Sequence, residues 1–225
     1  MKTITDRLIE LDSELVEYNE GQWGENNPKA IGFHSFNDAG VESEVGEFFY
    51  SMVRLLQPDN VLETGTHWGV SASYIGLALQ DNQFGHLDTF EFLAENHRKA
   101  HSRIFNLQLL KQVTCHFGDI AAFTPEKTYK MVLLDTEPQT RFAELEKFYD
   151  VVEPGGFIFI HDLHRHMHQI PNEDHGFAWP FGLVTDFINE KVKNDELRPF
   201  HFSTPRGLTG FYKVHPDDHK WGKSE

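Results

Sequence analysis

Cysteine is almost absent from this sequence, which contains a single one, Cys115, among 225 residues. A lone cysteine cannot form a disulfide within the chain, and this favours a reducing compartment such as the cytosol. A run of 18 apolar residues is also absent, as is the short N-terminal apolar segment of a secretion signal. The sequence therefore predicts neither a membrane span nor secretion.

Basic residues are scarce as well: 20 lysines and arginines stand against 35 acidic residues, which gives a formal net charge of −15 at pH 7. Such a surface repels phosphate backbones, so a nucleic-acid substrate is not expected. A small neutral or cationic ligand remains compatible with this charge. At this length the chain is most simply one domain, residues 1–225.

The dinucleotide fingerprint G-x-G-x-x-G is missing too, which argues against a nicotinamide cofactor. Residues 61–73 instead read V-L-E-T-G-T-H-W-G-V-S-A-S, with Gly65 and Gly69 between an apolar run and a segment of helical periodicity. A strand, a glycine turn and a helix open a nucleotide-binding βαβ unit. Glycine lets the backbone approach a ligand, and a helix N-terminus offers N–H groups to it.

Strand-like and helix-like segments alternate after this point, and such alternation predicts a parallel sheet covered on both faces. The strand candidates are 61–64, 86–91, 113–117, 130–135 and 156–161, and the helix candidates are 70–80, 93–106 and 140–152. A helix at 181–193 is followed by strand-like runs at 196–203 and 208–214. Their short connection predicts an antiparallel hairpin, because a parallel crossover needs a dozen or more residues. Amphipathic helices are expected at 4–18 and 41–56.

Acidic residues stand at the ends of the predicted strands, where ligands of open α/β sheets bind. They are Glu63, Glu91, Asp119, Asp135 and Asp162. Asp135 and Asp162 would end neighbouring strands, and two carboxylates placed there repel each other unless a cation lies between them.

The pattern E-x-G-x-x-x-G-x-S, formed by Glu63, Gly65, Gly69 and Ser71, resembles motif I of the class I S-adenosylmethionine (SAM)-dependent methyltransferases, particularly their O-methyltransferase branch. The resemblance covers roughly 41–214. It implies an α/β fold with a Rossmann-like, mostly parallel seven-stranded sheet, helices on both faces and a C-terminal antiparallel hairpin. Within the single domain it implies an N-terminal helical extension at 1–57 and a SAM-binding core at 58–214. The long insertion 164–182 is interpreted as a lid.

The resemblance also implies site residues. Glu91 would accept both ribose hydroxyls, although an acid at the end of a strand can instead cap the following helix, and Asp119 would receive the adenine amino group. The full set of expected cofactor-binding residues is Glu63, Gly65, Gly69, Ser71, Glu91, Asp119 and Asp135.

In the metal-dependent members of the branch, acids at the places of Asp135 and Asp162 bind a divalent ion, usually magnesium, that holds the acceptor hydroxyls. This chain departs from their pattern, with Leu163 where Asn is common and Pro138 where Lys or His is common. The missing ligand and base would then come from nearby residues: His161, His164 or Glu137. Imidazole ligands would suit manganese or zinc.

The sequence therefore predicts a cytoplasmic SAM-dependent methyltransferase that acts on a hydroxyl of a small molecule with the help of a metal held by Asp135, Asp162 and His161. One alternative is a metal-independent enzyme with His161 or His164 as catalytic base. Another is a SAM-binding protein without catalysis. We expect no nucleic-acid or membrane partner, and a homodimer formed through the helix at 4–18 or at 41–56.

Overall fold

The structure is a computed structural model that describes residues 2–12, 15, 18–20, 33–36, 40–137, 140–162, 181–202, 204 and 206–220. Its helices are α1 (Ile4–Leu11), α2 (Ser43–Leu56), α3 (Val70–Asn82), α4 (Ala94–Asn106), α5 (Arg141–Tyr149) and α6 (Phe181–Lys193). Its strands are β1 (Tyr18–Glu20), β2 (Phe33–Ser35), β3 (Asn60–Thr64), β4 (His86–Glu91), β5 (Val113–Phe117), β6 (Tyr129–Leu134), β7 (Val152–His161), β8 (Leu197–Phe202) and β9 (Leu208–Lys213). Within the described part of the chain, none of the helices is both long and apolar enough to cross a lipid bilayer.

Seven of the strands form one mixed sheet, in the order β5-β4-β3-β6-β7-β9-β8. Strand β4 pairs in parallel with β3 and β5, and β6 pairs in parallel with β7. Strand β9 is antiparallel to both β7 and β8. These pairings confirm the predicted fold class, a mostly parallel sheet that ends in an antiparallel hairpin.

Residues 1–123 form one compact unit, in which α3 is the most enclosed helix. Every residue from Val70 to Leu79 is buried. Helix α2 lies so close to α3 that a Cβ atom added at Gly46 would stand 2.4 Å from the ring of Tyr74. The Tyr74 hydroxyl also lies 2.7 Å from Oγ1 of Thr5 in α1, which ties the three helices together.

The first helix is shorter than predicted: α1 ends at Leu11, whereas the periodicity predicted a helix over 4–18. Asp12 is already extended, and its buried carboxylate accepts a hydrogen bond from Nε of Arg103 at 3.0 Å. An ion pair with α4 therefore replaces the next helical turn. Leu8 is fully buried and the Thr5 backbone N–H donates to Oε1 of Glu47 at 2.7 Å, so α1 docks on its own chain. The homodimer stays a prediction.

Residues 124–225 form the second compact unit, in which β7 begins at Val152, four residues earlier than predicted. The expected P-G-G turn lies inside this strand as an irregularity, where the register with β6 shifts between Tyr129 and Met131. A Cβ atom added at Gly156 would lie 2.8 Å from the Glu153 carbonyl oxygen and 2.9 Å from that of Lys130. Glycine is needed here because two backbones approach each other closely.

Gly46→Ala tests the packing of α2 on α3. Alanine favours a helix by about 1 kcal/mol over glycine, but overpacking a closed core costs about 1–3 kcal/mol. Because the nearest atoms belong to a fully buried ring, we expect the free energy of unfolding to fall by about 1 kcal/mol in urea denaturation. Ser51→Ala, at an exposed position of the same helix, should leave the free energy of unfolding nearly unchanged. A Gly46→Ala variant more stable than the parent would contradict this packing.

Candidate active site

A glycine turn connects β3 to α3. Gly65 and Gly69 have φ angles of 82° and 79°, in the left-handed region that side chains disfavour. The backbone N–H groups of Gly65 and Thr66 donate to the Phe90 carbonyl at 3.1 and 3.0 Å, so the turn is fixed against the end of β4. Gly69 also makes room for α4, since an added Cβ would lie 3.3 Å from Ala100. The turn thus presents the N-terminus of α3, with Ser71 buried in its first turn.

Glu91, the last residue of β4, fixes this turn from the other side. Its Oε2 accepts a hydrogen bond from the His67 backbone N–H, and its Oε1 accepts one from the Leu93 backbone N–H, both at 2.8 Å. Leu93 precedes α4 directly, so Glu91 holds the loop that leads into this helix. Each carboxylate oxygen has two lone pairs, and Glu91 can accept ribose hydroxyls as well.

Two further acids predicted to bind the cofactor differ in their exposure. Glu63 is fully buried and its Oε2 accepts a hydrogen bond of 2.5 Å from the Thr89 hydroxyl of β4. Asp119 is exposed, and its Oδ1 accepts a hydrogen bond from the Ala121 N–H at 2.8 Å, which caps the short 3-10 helix Ile120–Ala122. Of these two acids, Asp119 is the one that a ligand can reach directly.

In the 124–225 unit, the structure brings Asp135, His161 and Asp162 together. Asp135 follows β6 and His161 ends β7, and the pairing of Leu134 with Ile160 makes them neighbours. Nδ1 of His161 lies 3.2 Å from Oδ1 of Asp135 and 3.6 Å from Oδ1 of Asp162. One ligand atom from each residue lies within 4.8 Å of the others. His161 is fully buried, whereas the Asp135 side chain keeps 11% exposure.

Arg141, in the first turn of α5, enters the same cluster. Its Nη2 lies 3.2 Å from Oδ1 of Asp135 and 3.2 Å from Oδ2 of Asp162. Its Nε donates to the Thr136 carbonyl at 2.6 Å, and its Nη1 donates to the His161 carbonyl. The guanidinium thus joins both acids to the backbone that carries them, and its side chain is only 4% exposed.

Arg206, in the connection between β8 and β9, pairs with Asp162 through two atoms. Its Nε lies 2.7 Å from Oδ1, and its Nη2 donates to Oδ2 at 2.8 Å. The antiparallel pairing of His161 with Leu208 brings this connection to the end of β7.

Neither arginine is among the site residues predicted from the sequence. A signal existed for Arg141, because a positive charge at a helix N-terminus opposes the helix dipole unless an acid compensates it. Hydrophobic periodicity gives no such signal for the β8–β9 connection.

The charges around Asp162 change its acidity. Burial alone would raise the pKa of this carboxyl, but the charges of His161, Arg206 and Arg141 outweigh burial and hold the pKa well below its usual range. Asp162 therefore stays ionised at neutral pH. Its φ of 58° is a left-handed conformation that aspartate tolerates better than most residues.

Several residues named from the sequence lie outside the described residues, namely Pro138, Leu163 and His164 with nearly all of the 164–182 insertion. The roles of His164 and of the lid stay predictions. Glu137 is described and exposed, and it does not belong to the group of three possible ligands.

Cys115 in β5 offers a test of burial near the glycine turn, because its thiol lies close to Thr66, Glu63 and Glu91. Burial, with the charges of Glu63 and Glu91, raises the pKa of its thiol to about 12, against a smaller lowering by a hydrogen bond with Thr66. Because only the thiolate reacts, alkylation by iodoacetamide at pH 8 should be roughly a hundredfold or more slower in the native protein than in guanidinium chloride. This is the sole cysteine, so mass spectrometry reports it directly. Equal rates in both states would contradict the burial of this thiol.

Residues 62–163 match a family model described as a methyltransferase domain. None of the curated proteins matches the sequence. Among solved structures, the O-methyltransferase TomG from Streptomyces achromogenes in complex with SAM is similar, with a TM-score of 0.65 and 19% identity over 79% of this chain and 82% of that one.

Two more solved structures share the fold. The O-methyltransferase from Bacillus cereus in complex with SAH has a TM-score of 0.65 and 19% identity over 79% of this chain and 84% of that one. The SAH-bound methyltransferase PaMTH1 from Podospora anserina has a TM-score of 0.65 and 14% identity over 93% and 95%. The family match assigns residues 62–163 to a methyltransferase domain, and the solved structures show that this chain shares the fold of these methyltransferases.

Proposed function

We propose that this methyltransferase transfers the methyl group of SAM to a hydroxyl oxygen of a small molecule, without a metal ion. The observation that carries the proposal is the cluster of Asp135, His161 and Asp162 at the carboxyl ends of β6 and β7. Carboxylate and imidazole groups are suited to accept the proton that a hydroxyl loses when it is methylated. The names of the similar TomG and Bacillus cereus enzymes as O-methyltransferases support an oxygen acceptor.

The cofactor roles in this proposal fall to residues of the 1–123 unit. The glycine turn at Gly65 and Gly69 lets the backbone approach the cofactor. Glu91 accepts the ribose hydroxyls with the lone pairs that its two backbone hydrogen bonds leave, and exposed Asp119 accepts the adenine amino group. Asp135 has a further role by resemblance, near the methionine amine of the cofactor.

Methyl transfer is a displacement at the sulfonium methyl, with the acceptor oxygen in line with the breaking C–S bond. No covalent intermediate is required, so positioning supplies much of the rate, up to about 7–11 kcal/mol in well-oriented systems. The protein also has to receive the hydroxyl proton. Asp135 retains an exposed edge and His161 is fully enclosed behind it. We assign proton acceptance to Asp135, with His161 holding the carboxylate in position.

A divalent ion, which the sequence analysis expected here, does not fit the side chains as they stand. The three ligand atoms are close enough for one ion. However, nitrogens of Arg141 and Arg206 already lie 2.7–3.2 Å from the carboxylate oxygens that would bind it. No step of the proposed transfer therefore uses a metal.

A homodimer and a cytosolic location, like the single-domain boundaries, stay predictions of the sequence.

Glu91→Gln tests the cofactor assignment. The amide keeps the shape of the side chain but removes its charge, and its NH2 group faces one of the two backbone N–H donors at His67 and Leu93. We expect the dissociation constant for SAM, measured by calorimetry, to rise at least about tenfold, or roughly 1.4 kcal/mol. Glu95→Gln makes the same charge change on the exposed side of α4 and should bind SAM like the parent. Unchanged SAM affinity in the Glu91→Gln variant would remove the ribose role from Glu91.

Asp135→Asn tests the proton acceptor. With a panel of small phenols and alcohols as acceptors and SAH formation as the readout, kcat should fall by about 10²–10⁴. His161→Gln leaves the Asp135 carboxylate in place while it removes the imidazole that contacts Asp135 and Asp162, and it should reduce kcat less. Asp150→Asn, at the exposed end of α5, is the matched control and should keep full activity. If His161→Gln proves as damaging as Asp135→Asn, the histidine is the base and this assignment is wrong.

A further inference from the structure

The acids that would bind a metal in this chain already have their counter-charges. Two carboxylates, Asp135 and Asp162, face two guanidinium groups, Arg141 and Arg206, at distances of 2.7–3.2 Å. The four side chains are at most 22% exposed. Their formal charges cancel, so the repulsion that makes a bare pair of acids attract a cation is already compensated.

A divalent ion would have to overcome two obstacles at this place. It would compete with two guanidinium groups for Oδ2 of Asp162, which accepts charge-assisted hydrogen bonds from both, and with the ion pairs that these groups make to Oδ1 of Asp135 and of Asp162. It would also add two positive charges beside two buried guanidinium groups, which is unfavourable in an environment of low dielectric constant. Neither obstacle depends on the identity of the metal, so magnesium, manganese and zinc should all be affected.

The two arginines differ in how firmly they are held. Arg141 donates to the carbonyl oxygens of His161, the last residue of β7, and of Thr136, which follows β6 by two residues. Replacing Arg141 would therefore disturb the backbone of the cluster. Arg206 reaches Asp162 from the β8–β9 connection and makes an ion pair with it, with one hydrogen bond from Nη2 to Oδ2. Removal of Arg206 is the cleaner way to expose Asp162.

We infer that Arg141 and Arg206 take the place of a divalent cation as the permanent counter-ions of Asp135 and Asp162, and that metal binding here is blocked by Arg206. The inference concerns the site of the proposed transfer. Its test reads metal binding directly and needs no acceptor, so it can fail or succeed independently of that function.

The experiment titrates MnCl2 and MgCl2 into the EDTA-treated 225-residue chain, with calorimetry for both ions and electron paramagnetic resonance for free Mn²⁺. The wild type should show no saturable binding up to millimolar metal. Arg206→Met keeps much of the apolar length of the side chain without its charge, and it should bind Mn²⁺ at least tenfold more tightly than the wild type. Adding Asp162→Asn to this variant should abolish the gain.

The matched control is Arg198→Met, which removes an arginine from the same hairpin. Arg198 is about half exposed and pairs with Asp195 at 3.0 Å, so its loss should not change Mn²⁺ binding. Calorimetry with SAM on every variant verifies that the fold is retained, and Arg206→Gln serves if Arg206→Met does not fold.

Stoichiometric metal bound to the wild type and lost in Asp162→Asn would overturn the inference. It would also be overturned by folded Arg206 variants that bind no more Mn²⁺ than the wild type. If the wild type does not bind SAM, that result would instead contradict the proposed function. The metal titration would still decide whether Arg141 and Arg206 replace a cation.

Discussion

The Glu91 carboxylate is the interaction on which the organisation of the 1–123 unit depends. It accepts one backbone N–H from the glycine turn and one from the N-cap of α4, so a single side chain fixes two loops that follow different strands. The same carboxylate is the predicted ribose ligand. Structural and binding roles need not compete here, because an ionised carboxylate accepts several hydrogen bonds. A site arranged in this way is held rigid before the cofactor arrives.

The 124–225 unit uses a different principle, the mutual compensation of buried charge. Asp135 and Asp162 lie close together because consecutive parallel strands end side by side, and this closeness would be costly without counter-charges. Arg141 and Arg206 supply them from two separate elements, α5 and the β8–β9 connection. In the metal-dependent branch that the sequence resembles, an ion performs this task. This chain solves the same electrostatic problem with its own side chains.

Local signals in the sequence were enough to place most of the fold. Strands β4 and β5 have the predicted bounds, and the antiparallel hairpin followed from the length of its connection. The errors occurred where contacts over long distances in the chain override local pattern. Helix α1 ends early because buried Asp12 pairs with Arg103, and β7 begins early because its glycines fit inside a strand irregularity. Periodicity cannot report either of these contacts.

The sequence by itself determined the resemblance to methyltransferases, the order of the strands along the chain and the acids that stand at their ends. These features depend on short-range spacing, that is, on glycines at a turn and apolar residues with strand or helix periodicity. Only the tertiary structure decided what those acids contact. Arg141 follows Asp135 by six residues (141 − 135), whereas Arg206 follows Asp162 by 44 residues. The contacts of both arginines with Asp162 depend on the pairing of β7 with its neighbours, and charge compensation between residues so far apart in the chain leaves no periodic trace in a single sequence.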